Sequence, residues 1–420
     1  MSRLYEYQGK EALSRVGVAV PEGIIARTPD EARAAAARIG KPVAVKAQVW
    51  ATGRYHAGGI KFAADPDEAF RAAAEILETT IKGYTARQVL VEEKLDIAAE
   101  YYAAVIVDGS VAVKAPVLVF SSEGGTGIEE IAKRRPDSIV TYVIDPLTEM
   151  SESDLAAQMR TVLTAADHFD RLVAAVYGLY RFFMEFDCSS AEINPLVATR
   201  DGMVYAADCH VTIDDNSVFR HPEFEIDVPR DMDREPTELE QLAWRNIEEQ
   251  DYRGTGYFAQ MITDFKDDEI YVGFHGIGGG GSMLGAAALL ARGMKIANYA
   301  DTSGDPPASK VYRVVKTIFS QPISAYVLAG ACLANQEQWY HAFAIVKALR
   351  EELANRPGFP VVILLAGNKE EESMAIMREG LRDLDIRLEL YGRDYIYRSD
   401  YIGERAEVLI TEYLNEQKAG

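Results

Sequence analysis

Cysteine is scarce in this chain of 420 residues: Cys188, Cys209 and Cys332 are the whole complement. An odd and sparse count excludes a disulfide framework and points to a reducing compartment. Long apolar runs are missing as well, because nowhere do eighteen uncharged apolar residues follow one another, and no membrane span is expected. The opening stretch from Met1 to Lys10 is polar and charged, without a signal-like run, so the expected location is the cytoplasm. Basic charge is in deficit, with 44 Lys and Arg against 65 Asp and Glu and a formal net charge of −21. Such a surface repels phosphate backbones and anionic lipid, which argues against a nucleic-acid or membrane partner. Internal repeats and low-complexity tracts are also lacking. What is present is 48% hydrophobic and 26% charged residues, an ordinary globular composition long enough for several buried cores.

Helix and strand signals alternate in the first part. Thr28-Pro29-Asp30-Glu31 and Asp65-Pro66-Asp67-Glu68 each set a capping oxygen and a proline ahead of an alanine-rich helix; the first ends at Gly40 and the second runs through Leu77. Residues 43–47, 88–92, 101–108 and 111–120 are β-branched runs expected to form strands, the last three in an antiparallel sheet. Between Pro222 and Gly256 the chain turns acidic and apolar-poor. The organisation expected is a domain of residues 1–222, an acidic linker 223–256 and a second domain 257–420. In that second domain, strands at 269–273, 323–328, 361–365 and 387–391 alternate with helices starting at Gly281, Gln336 and Glu371 and a final helix to Leu414. This is the pattern of a doubly wound parallel sheet.

Two elements carry chemistry. Lys46 stands on a strand before a glycine-containing turn, Gly53-Arg54-Tyr55-His56-Ala57-Gly58, where an ammonium and backbone amides can meet a polyphosphate. An ordinary hairpin with surface lysines reads the same way. Asn194 and Asp208 lie on two strands joined at Asp201-Gly202, and two oxygens delivered to one face suit Mg²⁺, which takes one or two protein oxygens plus phosphates. Polar edge residues of a hairpin remain the alternative.

Together with Tyr5-Glu6-Tyr7-Gln8-Gly9-Lys10, Val91-Glu92, Ser122-Glu123-Gly124-Gly125 and Glu192-Ile193-Asn194-Pro195-Leu196-Val197, these motifs make the chain resemble the nucleotide-binding, β-type subunit of the succinyl-CoA synthetase and ATP-citrate lyase superfamily of acid–CoA ligases. The resemblance spans nearly the whole chain. It implies an ATP-grasp fold for the first half and a flavodoxin-like CoA-ligase domain for the second, a combination of α+β and α/β. It further implies that Lys46 contacts the α/β-phosphates of ATP, that Gly53, Arg54 and Tyr55 cover the triphosphate, that Glu92 lies beside the adenine and Glu100 reaches the ribose, and that Asn194 and Asp208 hold Mg²⁺. Glu192 becomes the catalytic candidate, orienting a phosphohistidine by hydrogen bonding. That histidine and most of the CoA site are implied to belong to an α-type partner subunit. Phosphorylation converts a carboxylate oxygen into a leaving group that CoA thiolate displaces, and the covalent phosphoenzyme divides the difficult step.

His275 precedes a glycine-rich turn and a helix N-terminus suited to anions. Three readings stand: a phosphorylated histidine, a contact to the organic acid or phosphate, and a structural residue. Gly330, Ala331, Cys332 and Asn335 form the second acid-binding element and look like the citrate-binding turn of ATP-citrate lyase, as does the stretch from Ala297 to Asp301. Leu364, however, stands where the family places an arginine, and losing that cation weakens the case for citrate and for succinate. Tyr55, His56 and Trp50 also depart from the family's usual residues. The leading expectation is the β-type subunit of an ADP-forming acid–CoA ligase of the succinyl-CoA synthetase kind. A citryl-CoA synthetase or ATP-citrate lyase subunit, a carboxylate–amine ligase and a catalytically silent regulatory subunit are the alternatives.

Overall fold

The structure is a computed structural model that describes residues 2–125, 127–164, 166–230, 234–267 and 269–419, with the side chains of 332–335 and 419 outside the description. The chain divides into two compact units, Met1–Glu235 and Pro236–Gly420. The acidic segment expected as a linker is shared between them. Phe224 packs in the large core of the first unit, while Ala243 and Ile247 pack in a core of the second.

The first unit holds two main antiparallel sheets. The smaller runs Gly23–Ala26, Val89–Glu93, Val43–Ala47, Ile60–Ala63. Two helices, Pro29–Ile39 and Pro66–Leu77, pack on it, and both start where the sequence signals placed them: Thr28 accepts from the Glu31 amide and Asp65 from the Glu68 amide. The larger sheet runs Ser2–Arg3, Cys209–Ile213, Cys188–Thr199, Ile97–Asp108, Ala115–Ser121, Ile139–Val143, with Val204–Ala206 paired to Cys188–Thr199. Helix Phe169–Glu185 covers it through Leu172, Val176, Leu179 and Phe182. The strand expected from residue 111 begins only at Ala115. Asp108 accepts from the Ser110 amide, and this local turn holds the intervening residues out of the sheet.

Strand alternation decides which side chains reach the open faces. In the smaller sheet Val43, Val45, Ala47, Val89 and Val91 belong to the helix-covered core, so Lys46 and Glu92 project from the opposite face. In the larger sheet Tyr101, Ala103, Ala191, Ile193, Cys209 and Val211 are core. Glu100, Tyr102, Glu192, Asn194, Asp208 and His210 therefore share the other face.

The second unit is a sheet in the order Tyr257–Gln260, Lys295–Asp301, Tyr271–Ile277, Ala325–Glu337, Phe359–Asn368, Ile386–Tyr391. The Tyr257–Gln260 edge is antiparallel and all other pairings are parallel. Numbered along the chain, the parallel strands lie 2-1-3-4-5, the flavodoxin-like order, whose ligand crevice forms where strands 1 and 3 diverge. Helices Ala308–Phe319, Trp339–Leu353 and Glu370–Leu381 cover one face; Gly279–Leu290 and Ser399–Ala419 cover the other. The turn from strand to helix expected at Gln336 comes later, because the strand continues to Glu337 and the helix starts at Trp339. Among the described residues no helix is long and apolar enough to cross a membrane.

Candidate active site

Six charged side chains meet beside the smaller sheet of the first unit. Glu6 is the hub. Its Oε1 lies 2.8 Å from Lys10 Nζ and 3.0 Å from Lys46 Nζ, and its Oε2 lies 2.8 Å from Arg54 Nη1. Glu92 pairs with Lys10 at 2.5 Å and also with Lys46. Asp208 receives Arg54 Nη2 on both oxygens, at 2.6 and 2.7 Å. The Ala207 carbonyl accepts from both lysines at 2.7 Å. Three carboxylates balance three cations, which is how buried charge becomes tolerable. Burial pushes the Glu6 carboxyl up, but Lys10, Lys46 and Arg54 outweigh it and hold the group well below the usual carboxylate range. Burial likewise lowers Lys46, and the charges of Glu6, Glu92 and Asp208 more than reverse the effect, so it stays an ammonium.

This geometry brings together Lys46, Arg54, Glu92 and Asp208, all given roles in the sequence reading, and adds Glu6 and Lys10, which the opening motif contained without a role. Their signal was available in the Glu6-to-Lys10 spacing of four, which stacks an acid and a base on one helix face. Arg54 turns inward beneath its loop, while Tyr55 is exposed. Beside the cluster opens a cavity of about 490 Å³ lined by Arg3, Glu6, Trp50, Arg54, Lys82 and His210 among others. Trp50 stacks on Tyr5 at 5.2 Å, and its buried indole nitrogen has no hydrogen-bond partner among the described residues.

On the open face of the larger sheet, Glu192 Oε2 accepts from the Tyr102 hydroxyl at 3.2 Å, and Glu192 Oε1 accepts from Asn194 Nδ2 at 3.3 Å. Burial and the Glu192 charge both raise the Tyr102 phenol, which keeps it a donor. Asn194 Oδ1 accepts from the Gly125 amide at 3.2 Å, so the Ser122–Gly125 motif reaches the same place. A Cβ on Gly125 would fall on Glu100 Oε2, which sets that exposed carboxylate against the same turn. The amide of Asn194 donates to the Asp208 carbonyl at 3.1 Å, so the two candidate Mg²⁺ ligands are neighbours across adjacent strands. A pair of hard oxygens fits a cation that completes its shell with phosphate and water.

In the second unit the turn after Ile277 lies against the Ala325–Glu337 strand. A Cβ on Gly330 would sit 2.5 Å from the Ile277 backbone, and one on Gly281 would sit 3.5 Å from the Ala331 amide. At Gly330 only glycine permits that approach, and it places Gly330 and Ala331 at the point where strands 1 and 3 part. Helix Gly279–Leu290 has no side-chain cap and no acid in its first turn, which leaves its amides for an anion. Cys332 and Asn335 have side chains outside the described residues. Leu364 is buried with Val272, Phe274, Leu289 and Val327. A cation nevertheless stands at the Gly367–Asn368 turn: Arg393 Nη2 donates to the Gly367 carbonyl at 2.9 Å, and its Nε lies 3.2 Å from Glu370 Oε2. It lies beyond the end of the Ile386–Tyr391 strand, where no motif marked it.

The expectation that His275 contacts the acid is corrected. The strand expected to end at residue 273 continues to Ile277, so His275 is interior and faces the side covered by helices Ala308–Phe319 and Trp339–Leu353. Its Nδ1 lies 2.6 Å from the Tyr326 hydroxyl and its Nε2 2.7 Å from Thr302 Oγ1, and the same threonine oxygen lies 3.0 Å from His341 Nε2. No ring nitrogen is left for a substrate or a phosphoryl group. Burial, with His341 adding, pulls His275 down to about 3, and burial pulls His341 down to about 4. Both are held neutral while the unfolded chain takes up their protons below about 6.5. Stability is therefore full above that value and falls as the pH drops toward about 4 and then about 3, by about 1.4 kcal/mol per pH unit for each histidine. Calorimetric melting between pH 7 and 5 is expected to show this slope, and His275→Asn to reduce it; an unchanged slope would contradict the assignment.

The ATP-grasp domain family matches residues 3–198, and the family described as ATP citrate lyase citrate-binding matches residues 270–399. The GDP-forming succinate–CoA ligase subunit beta of Thermus thermophilus is 37% identical over 378 residues, 89% of this chain and 93% of that protein. The ADP-forming counterpart of Rubrobacter xylanophilus is 36% identical, over 90% of this chain and 92% of that protein. An ATP citrate lyase structure from Methanothrix soehngenii shares the fold, with a TM-score of 0.74 and 19% identity over 94% of this chain and 96% of that one. Identity at this level along nearly the full length of both relatives means that the chain belongs to the family of succinate–CoA ligase β subunits.

Proposed function

We propose that this chain is the nucleotide-binding subunit of an ADP-forming acid–CoA ligase, which phosphorylates a histidine of an α-type partner on the way to an acyl-CoA. The observation that carries the reading is the convergence of Lys46, Arg54 and Glu92 with Asp208, itself paired across strands with Asn194 two residues beyond Glu192. Arg54 supplies positive charge to the polyphosphate in place of its present carboxylate partners, and Lys46 adds its charge beside it while staying paired with Glu6 and Glu92. Glu92 and Glu100 offer acceptors to the base and the ribose. Asn194 and Asp208 hold Mg²⁺, which neutralises charge on the transferring phosphoryl group. Glu192, oriented by Tyr102 and Asn194, accepts a hydrogen bond from the incoming imidazole and fixes its tautomer. CoA is bound mainly by the partner, and the assembly works in the cytoplasm.

The organic acid binds at the crevice formed by the Gly278–Gly281 amides and Gly330–Ala331, continued by Asn335. Succinate or a similar dicarboxylate is the first reading. Citrate is the second, favoured by the citrate-binding family match over 270–399. With Leu364 committed to the core, Arg393 is the cation available at the Gly367–Asn368 turn. Arg393→Ala is expected to raise the KM for the acid about tenfold with little change in the KM for ATP; equal KM values for the acid would remove Arg393 from the site.

The deciding experiment reconstitutes the chain with its α-type partner. Transfer of ³²P from [γ-³²P]ATP to the partner's histidine, followed by thioester formation with one of succinate, malate or citrate, supports the reading and names the acid. Absence of phosphorylation with both ATP and GTP would overturn it and favour a silent subunit.

A further inference from the structure

We propose that Arg54 is an interlock between nucleotide and divalent cation: without nucleotide it caps Asp208, and polyphosphate must draw it away before Asp208 can ligate the cation. The inference rests on the reading of Asn194 and Asp208 as metal ligands and adds an order of events to it.

The geometry of the cap is specific. A single donor nitrogen, Arg54 Nη2, covers both oxygens of Asp208 at 2.6 and 2.7 Å. Arg54 Nη1 is meanwhile held by Glu6 Oε2 at 2.8 Å and by the Ala47 carbonyl at 2.8 Å. Arg54 is only 4% exposed, so water screens it little. A divalent cation needs a dehydrated oxygen at about 2.0–2.1 Å, and both Asp208 oxygens already face a positive charge. Cation binding and the observed pairing therefore compete for the same two oxygens.

The rest of the cluster is arranged so that Arg54 is the member able to leave. Glu6 keeps Lys10 and Lys46 on Oε1 when Arg54 departs. Glu92 keeps the same two lysines. Glu6 gives up one of its three cations, whereas Asp208 gives up the one cation paired with it among the described residues, and it does so as a divalent ion becomes available to replace it. Arg54 in turn exchanges one anion for another, carboxylate for phosphate, in a loop that also brings Gly53 and Tyr55 to the nucleotide. Each buried carboxylate keeps a cationic neighbour through the exchange, which a simple loss of the arginine would not allow. By linkage, whatever nucleotide gains by releasing Asp208 the cation gains by finding Arg54 already withdrawn.

The test uses the assembled holoenzyme without nucleotide and Mn²⁺ as the probe, followed by electron paramagnetic resonance. Wild type should bind Mn²⁺ weakly, Arg54→Gln at least tenfold more tightly, and Arg54→Gln combined with Asp208→Asn should lose the gain. Because Arg54→Gln leaves buried carboxylates under-neutralised and can unfold, a second measurement uses Asp208→Asn alone. With ATP in excess EDTA, calorimetry should show this variant binding metal-free nucleotide at least fivefold more tightly than wild type, since Arg54 is no longer held. Wild-type Mn²⁺ affinity in Arg54→Gln, or unchanged metal-free nucleotide affinity in Asp208→Asn, overturns the interlock. If Asp208→Asn still weakens Mn²⁺ binding in the presence of ATP, the metal-ligand reading survives that failure; if it does not, the reading itself has failed.

Discussion

Glu6→Ala should destabilise the first unit by about 3–5 kcal/mol, the range for removing one partner from a buried ion cluster. Glu6 is fully buried and is the only carboxylate described here in contact with all three cations, Lys10, Lys46 and Arg54. Its loss leaves three positive charges facing Glu92 and Asp208, an excess that the Ala207 and Ala47 carbonyls, which are neutral acceptors, do not cancel. Glu6→Gln keeps the volume and two polar atoms, so it should cost less while still losing the charge. The pH dependence supplies the sign. The Glu6 carboxyl lies well below its usual value in the folded chain, so its contribution is complete above about 4.5 and is lost as pH falls through the folded value. The gap between wild type and Glu6→Ala in urea unfolding should be full at pH 7 and should narrow only in strong acid. A gap under about 1 kcal/mol at pH 7 would mean that the cluster relaxes around the missing carboxylate.

Much of this architecture was legible because alternation is a physical rule. Once residues 43–47 read as a strand with valines at 43 and 45, Lys46 had to emerge on the other face. The capping residues Thr28 and Asp65 marked their helices correctly, since orphan amides need an acceptor wherever a helix begins. The second sheet was readable for a similar reason: β-branched runs alternating with helices leave few topologies. Partner choice was not readable. Nothing local states that Arg54 folds inward onto Asp208, 154 positions away, because that pairing is set by how two sheets fold upon one another. The helical spacing of Glu6 and Lys10 was visible, but their role depends on neighbours that only the fold supplies. His275 went wrong for a simpler cause: ending the strand at residue 273 placed the ring in a turn, and four more residues of strand moved it into the core. Arg393 was missed because its contribution begins where the strand signal stops.

Glu192→Gln should slow phosphoryl transfer to the partner's histidine by about 10²–10⁴-fold, the span typical of a positioned acid–base group, while ATP affinity changes little. The separation follows from what Glu192 touches. Its oxygens take hydrogen bonds from Tyr102 and Asn194, and it takes no part in the Glu6 cluster proposed to receive the polyphosphate. The glutamine retains an acceptor but loses the charge that favours a protonated imidazole nitrogen facing it, so the fraction of correctly oriented histidine falls. Rapid-quench measurement of ³²P transfer, with ATP binding measured separately, distinguishes the possibilities. A slow transfer with normal ATP affinity supports orientation of the imidazole. A matching loss of ATP affinity would instead assign Glu192 to holding Asn194, and through it the cation, because the Asn194 amide is the contact that joins the two roles.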